Sequence, residues 1–210
     1  RHNESRSRAA LEVMAMFPRI RVSALAALLA LISLPAIAAA FSVDLSTERG
    51  HDAVYQPGEA IDLRVQSSVD AYLLVYEIDA EGGVHLIYPF DVRGGMVQGG
   101  HTYRLSDERP DFQAVVQGPV GQGYLVAIAS REPFNPLPWY LRPYDPHGAE
   151  LGYEEAPAEQ VETEGVTADG KIVGDPFVAM ERIRRTVLGS PDAAESFATS
   201  YSGYYVHHEV

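Results

Sequence analysis

The chain has 210 residues, with 16 Lys and Arg against 29 Asp and Glu, a formal charge of −13, 46% hydrophobic residues and no cysteine. The missing cysteine excludes disulfides, thiolate metal sites, a cysteine nucleophile and a lipid-modified N-terminal cysteine. The acidic balance argues against nucleic acid, whose binders need clustered Lys and Arg to displace phosphate counterions, while the apolar fraction is that of a globular chain.

The chain opens on Arg1, and Met14 and Met16 are the candidate starts. From Met16 a basic stretch with Arg19 and Arg21 leads into the apolar run Val22 to Leu34, then Pro35 and small residues to Ala40. Those are the three parts of a secretory signal peptide, with cleavage expected after Ala38 or Ala40. The competing reading is an uncleaved anchor, because Val22 to Ala40 spans 19 residues and a membrane helix needs roughly 20. Pro35 and the alanine-rich end weigh against it. Removal of residues 1–40 leaves 11 basic and 27 acidic residues, a net of −16. Anionic membrane surfaces would repel such a chain, so it is expected to be periplasmic or secreted and off the membrane.

Residues 41 to 134 read as short strands divided by turns, one β-sandwich domain. Phe41, Val43 and Leu45 share a face, and Tyr55-Gln-Pro-Gly58 is a turn. Ile61, Leu63 and Val65 alternate with Asp62, Arg64 and Gln66, the period of a half-buried strand. Asp62 then lies on a polar face, where truncation to Ala should cost under about 0.5 kcal/mol. Ala71 to Ile78 is apolar on both faces, with Tyr72, Leu74, Tyr76 and Ile78 expected to meet the main core. Asp79 to Gly83 is a hairpin connection, and Val84 to Tyr88 returns. Glycines 94, 95, 99 and 100 make a loop. Further strands are expected at His101 to Leu105, Phe112 to Val116 and Tyr124 to Ala129. Seven strands at this spacing, with no helical period between them, indicate an all-β fold: an antiparallel sandwich, immunoglobulin-like, or an open barrel.

Residues 135 to 149 change character. Trp139, Tyr140 and Tyr144 are interleaved with prolines, which remove backbone donors and discourage regular structure. Residues 150 to 174 are rich in Glu and read as a solvated linker. Residues 175 to 210 read as an arm of one helix and a final strand. Asp175 is the N-cap, Pro176 opens the helix and Gly189 closes it. Phe177, Met180, Ile183 and Val187 form one apolar stripe, which should dock on the sandwich because a free helix of this length is marginal in water. Tyr201 to Val210 is the strand, with Tyr204, Val206, His208 and Val210 on one face.

Several short signatures recur in a familiar order. They are Ala53-Val-Tyr-Gln-Pro-Gly58, Asp70-Ala-Tyr-Leu73 with Tyr76 and Asp79, and Gly83-Val-His-Leu-Ile-Tyr-Pro89. Gly99-Gly-His-Thr-Tyr-Arg-Leu105 and Gly118-Pro-Val-Gly121 complete the series. In this order the stretch from 43 to 134 resembles the bacterial domain of unknown function 4384, with Tyr88 standing where that family usually carries Phe. The resemblance implies an exported or surface β-sandwich accessory domain with no established activity, and it brings no catalytic residues.

No Gly-x-Ser-x-Gly, His-Glu-x-x-His, phosphate loop or dinucleotide fingerprint occurs. A Ser/His/Asp triad need not be local in sequence, so a hydrolase stays among the alternatives. His207-His208-Glu209 is the most metal-like run, but adjacent strand residues face opposite ways, and solvent-facing polar positions explain it better. No metal or cofactor is expected. The aromatic segment is the candidate ligand site: Trp139, Tyr140 and Tyr144 on a stiffened loop suit a sugar face. The competing reading is that these rings cover a sandwich edge as a small core. The expected role is a non-catalytic interaction or ligand-binding module of the bacterial envelope, its partner an envelope protein or glycan. A carbohydrate- or peptidoglycan-binding domain using the aromatic loop is the alternative.

Overall fold

The computed structural model describes residues 40–90, 95–109, 113–116, 119–143, 164–189 and 196–207. The expected signal peptide before Ala40, Tyr144, most of the acidic stretch, and His208 to Val210 lie outside the described residues. Among the described residues, ten strands and two helices form three layers. A small sheet runs in the order β1 (Val43–Thr47), β3 (Leu63–Ser67), β7 (Thr102–Arg104), with both pairings antiparallel. A large sheet runs β2 (Ala53–Tyr55), β10 (Phe197–Val206), β8 (Gly121–Ser130), β4 (Ala71–Ile78), β5 (Val84–Tyr88), β9 (Arg142–Pro143), and β6 (Met96–Val97) also pairs with β4. The helices are a single turn, α1 (Leu105–Glu108), and α2 (Pro176–Leu188). The fold is thus an all-β sandwich with a C-terminal helix and strand.

The sheet pairings are antiparallel except at the edges of the large sheet, where β2–β10 and β5–β9 are parallel and only two or three residues long. A parallel pair needs a long connection, and both partners here are far apart in sequence. The expected strand from Phe112 to Val116 is reduced, over its described residues, to one bridge between Ala60 and Val115. The segment expected to float as a linker does not do so over residues 164–174. These residues turn back on themselves through the Val166–Ile172 bridge and pair with the β4–β5 turn through the Gly83–Lys171 bridge. Lys171 Nζ lies 2.5 Å from Glu81 Oε2.

The final strand is not an appendage. β10 pairs with β8 over ten residues, from Phe197 opposite Ser130 to Val206 opposite Gly121, and pairs with β2 on its other side. It starts four residues before the expected Tyr201. Tyr204 and Val206 share one face, as expected, and that face is buried.

Two cores flank the large sheet. The larger lies between the sheets and takes Ala71, Leu73 and Val75 from β4, with Leu45, Leu63, Val65, Leu125, Ala127 and Tyr204. The second lies on the outer face and takes Leu74, Tyr76 and Ile78, with Val126, Ile128, Tyr140, Leu141, Ile183 and Val187. The face of β4 expected to meet the main core therefore meets α2 instead, and Tyr72 is half-buried. Both faces of β4 are apolar, so alternation sorts its residues into two sets without saying which core each set meets.

α2 is capped as the sequence indicates. Asp175 Oδ1 accepts the Phe177 N–H at 2.8 Å, and Gly189, at φ 73°, donates to the Arg185 carbonyl. The helix is docked, but its buried residues are Ala179, Ile183 and Val187, with Met180 partly covered. Phe177 is not in the stripe; it is 46% exposed. Burying Ile183 and Val187 stabilises the docked helix by roughly 1.5–3 kcal/mol each before ordering costs.

Candidate functional site

Three groups of side chains concentrate chemistry on this frame. The first is in the sandwich core. Glu77 on β4 is buried, opposite Leu125 on β8 and His85 on β5. Tyr204, from β10, lies opposite Gly123 of β8, and its hydroxyl donates to Glu77 Oε1 across that strand. Gly123 permits this because any side chain there would occupy the space of the Tyr204 ring. Burial pushes the Glu77 carboxyl above the usual carboxylate range, as does Asp79, while the Tyr204 bond and His85 pull the other way. Beside it, Asp79 accepts from the Glu81 and Gly83 N–H groups at 2.8 Å each and meets His85 Nε2 at 2.9 Å. Burial works against ionisation of Asp79, yet His85 and those amides hold it below its ordinary value. Every one of these contacts closes a turn or ties strands together, so the cluster serves the fold.

The second group is the aromatic loop. The Trp139 and Tyr140 rings meet edge to face at 5.9 Å. Tyr140 is 3% exposed and lies in the outer core with Leu141. Trp139, Phe134 and Leu137 are partly buried against the same core, and Trp139 Nε1 is enclosed without a hydrogen-bond partner. The residues proposed from sequence thus stand side by side, but Tyr140 gives its surface to packing. Tyr144 lies outside the described residues.

The third group was not visible in the sequence. On the outer face of the large sheet, beyond the N-terminal end of α2, Phe177 meets Tyr124 of β8 at 5.4 Å and 67°, and Tyr201 of β10 at 5.4 Å and 74°. Tyr205, two residues past Gly203 on the same face, joins them. Tyr201 is 53% exposed and Tyr205 40%, and Val54 on β2 continues the surface beside Tyr205. Desolvation, then Tyr205, Asp175, Asp52 and Tyr201, push the Tyr124 phenol above its ordinary value. Between Tyr201 and Tyr205, Gly203 lies opposite Tyr124. A side chain there would meet Asp52 Oδ1 at 2.7 Å and Gln122 Nε2 at 3.5 Å. Asp52 adopts φ 56°, uncommon for a residue with a side chain, and its N–H donates to the Gly203 carbonyl at 2.8 Å. The Asp52 carboxylate therefore occupies the space over Gly203 that a side chain there would need.

Asp62 departs from its expected place on a free polar face. Its carboxylate bonds Arg104 Nε at 2.8 Å and Arg64 at 3.2 Å. The Arg104 bond, set against some desolvation and helped by Arg64, holds Asp62 below the usual carboxylate range. Among the described residues no group of three His, Asp or Glu is placed to hold a metal ion. Nor is any helix among them long and apolar enough to cross a membrane.

Residues 54–133 match the family described as Domain of unknown function (DUF4384). That segment runs from β2 to just past β8 and includes Tyr124, Gln122 and Glu77, but not Phe177, Tyr201, Gly203 or Tyr205. No curated protein and no solved structure matches the chain.

Proposed function

We propose that this chain is a non-catalytic ligand-binding module of the bacterial envelope, delivered there by the export segment that ends near Ala40. The observation that carries the reading is the cluster of exposed Phe177, Tyr201 and Tyr205 around the half-buried Tyr124. Contiguous apolar surface on a chain this acidic marks a place where something binds. Tyrosine suits that task, because each ring offers a flat apolar face and a polar edge at low entropic cost. Three of the four rings stand on strands in the body of the sheet, so the surface is rigid before the ligand arrives. The Trp139 loop, the other platform, has less support because Tyr140 is buried.

A binding screen of the mature chain against glycans, peptidoglycan fragments and small envelope solutes tests the reading. The paired variants are Tyr201→Ala with Tyr205→Ala, and Trp139→Ala. We expect a ligand whose binding falls in the tyrosine variant and persists in the tryptophan variant. The opposite pattern, or no ligand for the parent chain, contradicts the reading. Mass analysis of envelope-localised protein tests the export half: an N-terminus near Phe41 supports it, and retention of residues 22–34 refutes it.

A further inference from the structure

We propose that the outer face formed by Val54, Phe177, Tyr201 and Tyr205 docks a cationic segment of a partner protein, an extended stretch carrying Lys or Arg among apolar side chains. This deepens the ligand-binding reading and rests on it. The face is an open surface, not a cavity. Tyr201 and Tyr205 stand four residues apart on one side of β10, about 13 Å of extended chain. Val54 lies beside Tyr205, and Phe177, at the head of α2, meets Tyr201. Aromatic side chains inside a polar rim are the composition of a protein interface. The rim supplies the sign of the partner. Asp52 comes in from the β2 side of β10, and Asp175 stands two residues before Phe177. Both are exposed, and neither has an ion-pair partner among the described residues. The basic side chains of the adjoining elements are already engaged. Arg49 is bonded by Glu59 through both terminal nitrogens, Glu181 holds Arg184 and Arg185, and Arg182 lies against Gly165. The face is therefore apolar at its centre and negative at its rim. A second copy of this chain, with a net charge of −16 after residue 40, is repelled, as is an acidic segment. A cationic segment gains twice. Its Arg and Lys side chains lie along tyrosine faces with their apolar stems covered. Their charges meet the two unpaired carboxylates.

Short random peptides displayed on phage and panned on the mature chain are the probe. We expect the enriched pool to combine Lys or Arg with apolar residues. The best clone, made as a synthetic peptide, should shift the amides of Phe177, Tyr201 and Tyr205 and saturate. Its copy with citrulline for Arg and acetyl-lysine for Lys should bind at least about tenfold more weakly. Asp52→Asn with Asp175→Asn removes the rim charge and keeps the backbone, since Asn tolerates the left-handed region and caps a helix as well as Asp. That pair should weaken the peptide roughly 2- to 30-fold. Tyr201→Ala with Tyr205→Ala, verified as folded by its amide spectrum, should abolish the shifts. An enriched pool without cationic residues overturns the assignment, as does binding indifferent to the two Asn substitutions. If glycans, or neutral or acidic peptides, bind through the tyrosines while cationic peptides do not, the cationic assignment falls and the ligand-binding reading stands. If nothing binds there, both fall.

Discussion

Replacing Glu77 with Gln tests how the sandwich core carries a carboxyl group. The side chain is 5% exposed and hydrogen-bonded by Tyr204. Burial raises its pKa in the folded chain above the ordinary value of about 4.3 that it regains on unfolding. At pH below that unfolded value both states hold the proton, and no charge is buried. As pH rises, the unfolded chain loses its proton first, so folding stability declines until pH passes the folded value. The slope in this window approaches about 1.4 kcal/mol per pH unit and vanishes above it. Glu77→Gln keeps the length and the oxygen that accepts from Tyr204, but it does not titrate. Its extra amide N–H groups add a cost of about 1–3 kcal/mol that does not depend on pH. His85 and Asp79 face the same carboxyl and remain in both proteins. Urea melts of both at half-unit steps from pH 4 to pH 9 give the difference. It should move in the variant's favour as pH rises above the ordinary carboxylate value, then level off. A difference that stays flat would show that Glu77 is ionised in the core and that the burial argument fails.

Ile183→Ala should cost about 2–5 kcal/mol, whereas Val178→Ala, on the exposed side of α2, should cost under about 0.5 kcal/mol; denaturant melts decide this, and amide exchange across 178–188 should be as slow as in β8. Gly123→Ala forces the Tyr204 ring off Glu77 and should destabilise by about 1–3 kcal/mol, with loss of the tyrosine's near-ultraviolet dichroism. Asp62→Asn should cost about 1 kcal/mol at neutral pH. Its folded pKa lies below the unfolded one, so that contribution is present above the unfolded value and is lost as pH falls through the folded value; melts at pH 7 and in acid measure the difference.

The strands, the helix and its caps were legible because each is a local pattern. Leu63 and Val65 alternate with polar neighbours, and Asp175-Pro176 and Gly189 bracket a helix by backbone chemistry alone. What was not legible depends on what each surface meets. β4 is apolar on both faces, so sequence separates Leu73 from Leu74 without assigning either to a core. Asp62 reads as solvent-facing until Arg104, 42 residues later, arrives beside it. The same holds for the candidate site. Trp139 and Tyr140 stand out as neighbours in sequence, and that adjacency suits a core patch as well as a platform. Tyr124, Phe177, Tyr201 and Tyr205 are spread over three elements, and no spacing rule joins them. They meet because β10 crosses to lie against β8 and α2 begins above the same end of the sheet. A tyrosine alternation at 201 and 205 around a glycine was the one available signal, and it is short.

The central claim is that the outer face around Gly203 is where this module meets its ligand. Amide chemical-shift mapping of the mature chain, titrated with the strongest binder from the screen, tests it most directly. Shifts should saturate together at Asp52, Tyr124, Phe177, Tyr201, Gly203 and Tyr205 and leave residues 134–141 unmoved. Shifts centred on Trp139 and Leu141, with Gly203 and Tyr205 unchanged, would contradict it.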